Sequence, residues 1–243
     1  MQTAAPAPSL EWCLFLDIDG TLLELAETPA AVVVDCELKD LLARLAQTLD
    51  GAVALVSGRS IDVMDRLFAP LRLPAAGLHG LERRTASGER RGAQGVDARL
   101  DGARASLAAF VNAHPGTLLE DKGRALAMHF RMAPSFAEPA RRAVDAAARS
   151  VSGYHVQEGK MVLEIKPQRV TKATAVEAFM REPPFQGRKP VFVGDDLTDQ
   201  DGLRSVERMG GISIAVGDRI EGQWHLEDPA EVRRWLASVA ALG

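Results

Sequence analysis

Hydrophobic positions along this chain fall into two kinds of run. Short apolar blocks read as buried strands, because a strand covered on both faces loses its alternation. They are WCLFL (12–16), GAVALVSGR (51–59), KPVFVGDD (189–196) and GGISIAVGD (210–218). Other segments repeat at helical spacing. Residues 35–48 place Leu38, Leu41, Leu42 and Leu45 on one stripe. SIDVMDRLF predicts a short helix with Ser60 as its N-cap, and DPAEVRRWLASVAAL closes the pattern. There Asp228 is the N-cap, Pro229 takes the first helical position and Glu231 completes a capping box. Strands alternating with helices predict an α/β fold: a doubly wound, mainly parallel, Rossmann-like sheet. Ligands of such sheets bind beyond the carboxyl ends of the strands.

The middle of the chain has a different rhythm. RRTASGERRGAQG is rich in Gly, Arg and Ser and reads as turn or linker. A helix (97–113), two strands (TLLED and RALAMHFR), a second helix (about 136–151) and a hairpin, YHVQEGKMVLEIKP, turning at Glu158-Gly159, follow. The pattern predicts an inserted α+β cap over 84–166, with 10–83 and 167–243 forming the core and 1–9 a disordered lead-in. In KMVLEIKP, Lys160, Val162 and Glu164 share one strand face, polar toward a ligand, while Met161, Leu163 and Ile165 face the cap core.

Composition narrows the function classes. The 243 residues carry a formal charge of −4, which gives no electrostatic reason for nucleic acid or an anionic membrane as partner. MQTAAPAPS lacks the basic and apolar regions of a signal peptide, and no segment is apolar enough to span a bilayer. Cys13 and Cys36 show no metal-ligand spacing and read as reduced core thiols of a cytoplasmic protein. Trp12, Trp224 and Trp235 read as core.

Three strands end in chemistry. Asp17 and Asp19 follow the first, Ser57 ends the second, and Asp195 and Asp196 end the third. Asp17 and Asp19 are a turn and a cap, a metal site, or a nucleophile with its proton-transfer partner. The amides of the Ile18–Thr21 turn are suited to an anion. Ser57 is a hydroxyl donor for phosphate or a helix cap, and Lys172, opening a helix behind the N-cap Thr171, is a phosphate-neutralising charge or a surface lysine. Thr198, Asp199 and Asp201 read as caps and dipole partners of the next helix, which leaves Asp195 and Asp196 in need of a cation. His79 and His129 read as positioning or structural histidines.

DIDGTL, SGR, a helix-opening Lys172 and GDDLTD, in this order, resemble the haloacid dehalogenase (HAD) phosphohydrolases. GLHGLE (77–82), EDKGRALAMHFR (120–131), GKMVLEIKP (159–167) and GDDLTDQD are similar to motifs of the trehalose-6-phosphate phosphatases. The resemblance implies a phosphatase with Asp17 as nucleophile, Asp19 as general acid/base and Lys172 as a catalytic cation. It implies phosphate held by Asp17, Ile18, Asp19, Gly20, Ser57, Gly58 and Lys172. It implies Mg²⁺ bound by Asp17, the Asp19 carbonyl and Asp195, with Asp196 close by. Arg59 and His79, and Glu120, Lys122, Arg131, Lys160 and Glu164 of the cap, would meet a disaccharide phosphate. The expected protein is a monomer acting on a small molecule. A sucrose or hexose phosphatase, or a non-catalytic sugar-phosphate sensor, is the alternative. Ala173 stands where the family usually has Gly, and Gln200 where Glu is common.

Overall fold

A computed structural model describes residues 5–28, 31–92, 95–168 and 170–243. It divides into two compact units: Met1–Ala26, Ala30–Gly92 and Thr171–Gly243 form one, and Glu27–Pro29 with Ala93–Val170 the other.

The first unit is built on an eight-stranded sheet. Its strands are β1 (Trp12–Leu16), β2 (Val53–Val56), β3 (Ala75–Gly77), β4 (Glu82–Arg84), β5 (Arg90–Gly92), β10 (Lys189–Gly194), β11 (Ile212–Val216) and β12 (Trp224–Leu226). They run in the order β12-β11-β10-β1-β2-β3-β4-β5. The strands from β12 to β3 pair in parallel; β4 and β5 join antiparallel. Every residue of β1, β2 and β11 is buried, which is why these segments read as unbroken apolar runs. Helices α1 (Cys36–Thr48), α2 (Ile61–Phe68), α5 (Lys172–Phe179), α6 (Gln200–Arg208) and α7 (Pro229–Ala240) complete the unit. Asp35, Ser60, Thr171 and Asp228 cap α1, α2, α5 and α7 with side-chain oxygens on backbone N–H groups. Glu231 turns its carboxylate to the Glu227 amide (2.6 Å), one residue before the expected capping-box partner.

The structure departs from several of these expectations. Residues 84–92, expected to open the cap, instead extend the large sheet: Arg84 pairs with Ala75 on β3 and with Arg90 on β5. Four arginines in this hairpin are consumed by ion pairs. Arg83 and Arg91 meet Glu182, Arg84 meets Asp65, and Arg90 meets Asp62 and Asp65. The lead-in is not free from Ala5 on: Pro6 is buried, and its carbonyl accepts the Trp235 indole N–H at 3.1 Å. Residues 1–4 lie outside the described residues. Cys13 is buried, but Cys36 is exposed at the start of α1, so only one thiol belongs to the core. Trp12 and Trp235 pack 5.9 Å apart in that core, with Trp224 half-buried against it.

The second unit has a four-stranded antiparallel sheet, β6 (Leu118–Asp121), β7 (Leu126–His129), β9 (Val162–Pro167) and β8 (Tyr154–Gly159), in that order. Helices α3 (Asp101–Ala113) and α4 (Ala137–Arg149) cover one face. Leu107, Leu126, Met128, Val144, Leu163 and Ile165 form its core. The hairpin turns at Lys160-Met161, not Glu158-Gly159, because Gly159 still pairs with Val162 and Met161 takes the positive φ of 60°. Asp97 fastens the start of this unit. It accepts the Tyr154 hydroxyl (2.8 Å) and the Arg99 guanidinium (2.6 Å), and its N–H donates to the Gly123 carbonyl (3.0 Å). Among the described residues no helix is long and apolar enough to cross a membrane.

Candidate active site

Strands β10, β1 and β2 are adjacent and parallel, so Asp195, Asp17 and Ser57 emerge from one sheet edge. The chain connections reverse across β1, the switch point at which α/β sheets open a crevice. The DGT turn packs tightly. Gly20 has φ 86°, and a Cβ there would fall 2.1 Å from Oδ2 of Asp195, so only glycine lets β1 and β10 deliver both acids together. The Gly20 N–H, expected for phosphate, donates to the Leu23 carbonyl (2.7 Å). Ile18 puts its side chain fully into the core, and its carbonyl accepts from Leu22 and Leu23.

Behind this turn lies a buried charge cluster. The Lys172 ammonium donates to Oδ1 of Asp17 and to Oδ1 of Asp199, each at 2.6 Å. Thr21 Oγ1 lies between Oδ2 of Asp17 (3.5 Å) and Oδ1 of Asp195 (3.4 Å). Asp17, Asp195 and Asp199 offer oxygens within 4.8 Å of one another. Lys172 is 2% exposed and Asp199 0%, so neither is a surface group. Three carboxylates around one ammonium leave a formal excess of two negative charges. Burial and the Asp199 charge therefore raise Asp17 well above the usual carboxylate range, only partly offset by Lys172. Burial, then Asp199, pushes Asp195 up to about 7. Burial also raises Asp199, while Lys172 keeps its proton because the two aspartates outweigh the cost of burying it. A divalent cation would balance that excess, and carboxylate oxygens are the donors that hard divalent cations take. Lys172 already bridges Asp17 and Asp199, so the Asp17–Asp195 side is the fitting place for the ion.

Asp199, expected as a dipole partner of the next helix, stands in the first turn leading into α6 and is in addition a wholly buried partner of Lys172. The signal that reveals it is Gly194, where a Cβ would come within 2.4 Å of the Asp199 carboxyl carbon. Neither Thr198 nor Asp201 caps α6, which begins without a side-chain cap. Asp196, expected beside the metal, is turned to Arg219 in an ion pair, and its N–H donates to Oδ2 of Asp199 (3.1 Å).

Asp19 leaves the cluster. Arg59 grips it with both forks, Nε to Oδ2 and Nη2 to Oδ1, each at 2.7 Å. Ser57 is buried, and its Oγ accepts the Arg59 N–H (3.1 Å), which closes the SGR turn. His79, buried and at φ 57°, lies over Gly58: a Cβ on Gly58 would meet its Nε2 at 2.8 Å. The His79 N–H donates to the Ser57 carbonyl (3.0 Å), and Glu82 Oε1 accepts the Ile61 N–H (2.6 Å). GLHGLE thus braces SGR from the neighbouring strand.

The remaining predicted residues belong to the second unit, in two groups. Glu120, Ala127, Glu164 and Gln157 are register partners across four strands and share one face. The small Ala127 separates the two acids, and Lys122 spans them, 3.1 Å from Glu164 and 4.0 Å from Glu120. His129 Nε2 lies 2.9 Å from Glu120, so this histidine, read as structural, belongs to the polar row. Burial alone would raise Glu120, but the His129 hydrogen bond and the Lys122 charge bring it below its ordinary value. Arg131 and Lys160 form a separate pair at the β8–β9 turn, with Arg131 Nη2 donating to the Lys160 carbonyl (3.3 Å).

The profile of one family, trehalose-phosphatase, matches residues 15–234. The chain belongs to the trehalose-phosphatase family. It is 43% identical over 235 residues to a probable trehalose-phosphate phosphatase of Sinorhizobium fredii, covering 95% of this chain and 88% of that one. It is 39% identical over 238 residues to a trehalose-6-phosphate phosphatase of Escherichia coli, covering 98% and 90%. A crystal structure of a trehalose-6-phosphate phosphatase related protein superposes with a TM-score of 0.80 at 26% identity, covering 95% of this chain and 98% of that one. The protein is therefore a phosphatase of this family, with the expected Rossmann-like core and α+β insertion, a fold it shares at 17% identity and a TM-score of 0.61 with a HAD-superfamily phosphatase of Bacteroides thetaiotaomicron.

Proposed function

We propose that the protein hydrolyses trehalose 6-phosphate to trehalose and phosphate, with Mg²⁺, through an aspartyl-phosphate on Asp17. The observation that carries this reading is the division of the two neighbouring acids. Asp17 lies in a buried cluster with a cation, while Asp19, two residues on, is held apart by Arg59.

A carboxylate oxygen of Asp17 attacks phosphorus, and the bond from phosphorus to the sugar oxygen breaks. Asp19 gives its proton to that leaving oxygen. The same carboxylate then takes a proton from water, which attacks phosphorus and releases phosphate and free Asp17. Mg²⁺ held by Asp17, the Asp19 carbonyl and Asp195 would offset the negative charge of nucleophile and phosphate. Lys172 keeps Asp17 oriented and supplies a fixed positive charge, with Asp199 orienting Lys172 in turn. Ser57 and the Gly58 turn hold phosphate oxygens, and His79 supports that turn.

Sugar hydroxyls require paired donors and acceptors to replace water. Glu120, Lys122 and Glu164, with Arg131 and Lys160, supply them on the second unit. The expected setting is the cytoplasm and the expected state a monomer, which light scattering measures. Phosphate release from trehalose 6-phosphate, with and without Mg²⁺, beside sucrose 6-phosphate and glucose 6-phosphate, tests the assignment. Comparable turnover of the three would overturn the substrate, and full activity of Asp17→Asn would overturn the mechanism.

A further inference from the structure

Asp196 is an acid in the expected metal motif that is turned away from the site. We infer that Arg219 withholds Asp196 from the divalent-cation site and thereby sets that site's charge and its preference for Mg²⁺ over Ca²⁺. This rests on the reading of Asp17 and Asp195 as the cation ligands.

The placement follows from the sheet. Arg219 comes just after β11, which pairs in parallel with β10, the strand that delivers Asp195 and Asp196. Gly217, at φ 68°, turns the chain between the end of β11 and Arg219. Arg219 Nη1 reaches Oδ1 of Asp196. The side chains are 28% and 18% exposed, so this pair is less screened than one on the open surface. The Asp196 backbone is fixed as well: its N–H donates to Asp199 Oδ2 (3.1 Å), and its carbonyl accepts the Asp199 N–H (2.7 Å). Asp196 is thus held from two sides by groups other than a metal.

Charge explains what this achieves. Asp17, Asp195 and Asp199 with Lys172 carry a net formal charge of −2, which one divalent cation neutralises. A free Asp196 would take the site to −3. Mg²⁺ demands compact octahedral geometry, keeps several waters and uses one or two carboxylates. Ca²⁺ accepts six to eight oxygens in a loose shell and gains from an added carboxylate. Arg219, by neutralising Asp196, keeps the donor set small.

The test is calorimetric titration of the 243-residue chain with MgCl₂ and with CaCl₂, which reads binding rather than turnover. We expect Asp196→Asn to change Mg²⁺ affinity less than about threefold, while Asp195→Asn weakens it more than about tenfold, since only Asp195 is a direct ligand. We expect Arg219→Ala to raise Ca²⁺ affinity about tenfold with a smaller change for Mg²⁺. Arg219→Lys should stay near wild type, and Arg219→Ala with Asp196→Asn should lose the gain. If Asp196→Asn weakens Mg²⁺ as much as Asp195→Asn does, Asp196 is a ligand and the inference fails. It also fails if Arg219→Ala leaves the Ca²⁺ to Mg²⁺ ratio unchanged. If Asp195→Asn leaves Mg²⁺ binding intact, the underlying cation site is wrong and the inference falls with it.

Discussion

Arg59 holds Asp19 by two parallel bonds of 2.7 Å, from Nε and Nη2 to the two carboxylate oxygens. The pair separates Asp19 from the Asp17 cluster and fixes its direction. Lysine cannot reproduce that fork. Arg59→Lys is therefore expected to lower kcat/KM about tenfold and Arg59→Met about 100-fold, from steady-state phosphate release with the fold intact by circular dichroism. Wild-type kinetics in Arg59→Met would show that the pair has no part in turnover.

Asp199 acts through Lys172. Removing its charge while keeping its shape leaves a buried ammonium with one anionic partner. Asp199→Asn is expected to reduce kcat about 10- to 100-fold with KM changed much less, because substrate contacts remain. An unchanged kcat would leave Asp199 a packing residue only.

Gly20→Ala meets two obstacles, a φ of 86° and an intruding Cβ 2.1 Å from Asp195. The expected outcome is about 1–3 kcal/mol of destabilisation together with loss of Mg²⁺-induced thermal stabilisation, because Asp195 must move. Differential scanning fluorimetry with and without MgCl₂ separates the two effects. Retained Mg²⁺ stabilisation would contradict the packing argument.

The second unit carries a pH signature of its own. Burial and the bond to Asp97 raise Tyr154 from 10.0 to about 12. A raised folded-state value means its contribution is complete below pH 10 and is lost as pH rises toward 12. Bonds from Arg99 and Tyr154 lower Asp97, so its contribution is complete above the normal carboxylate range and is lost as acid protonates it. Thermal unfolding of Tyr154→Phe should therefore show a shallower alkaline decline than wild type, and parallel curves would discount the pair.

Leu38, Leu41, Leu42 and Leu45 predicted α1 because a single apolar stripe has one low-energy use. β3 and β12 escaped, since AAG and WHL are too short to carry a period. The β4–β5 hairpin was misread because its strands are rich in arginine. Only their partners Glu182, Asp62 and Asp65, distant in sequence, make them compatible with a sheet.

The site divides in the same way. The placement of Asp17, Asp19, Ser57 and Asp195 just past strands and of Lys172 at a helix start was legible, because these are local features and polar residues there stand out against apolar runs. Which acid faces which base was not legible. GDDLTD contains three aspartates of equal chemistry, and the chain alone cannot say that Asp195 faces Thr21, Asp196 faces Arg219 and Asp199 faces Lys172. Those pairings depend on which strands become neighbours and on the closeness that Gly20 and Gly194 permit. Burial and capping act over a few residues, so the alternation of elements and the kinds of group at the sheet edge are written in the chain directly. Tertiary structure alone decided the partners, because a buried charge settles on whichever opposite charge the fold brings within hydrogen-bond reach.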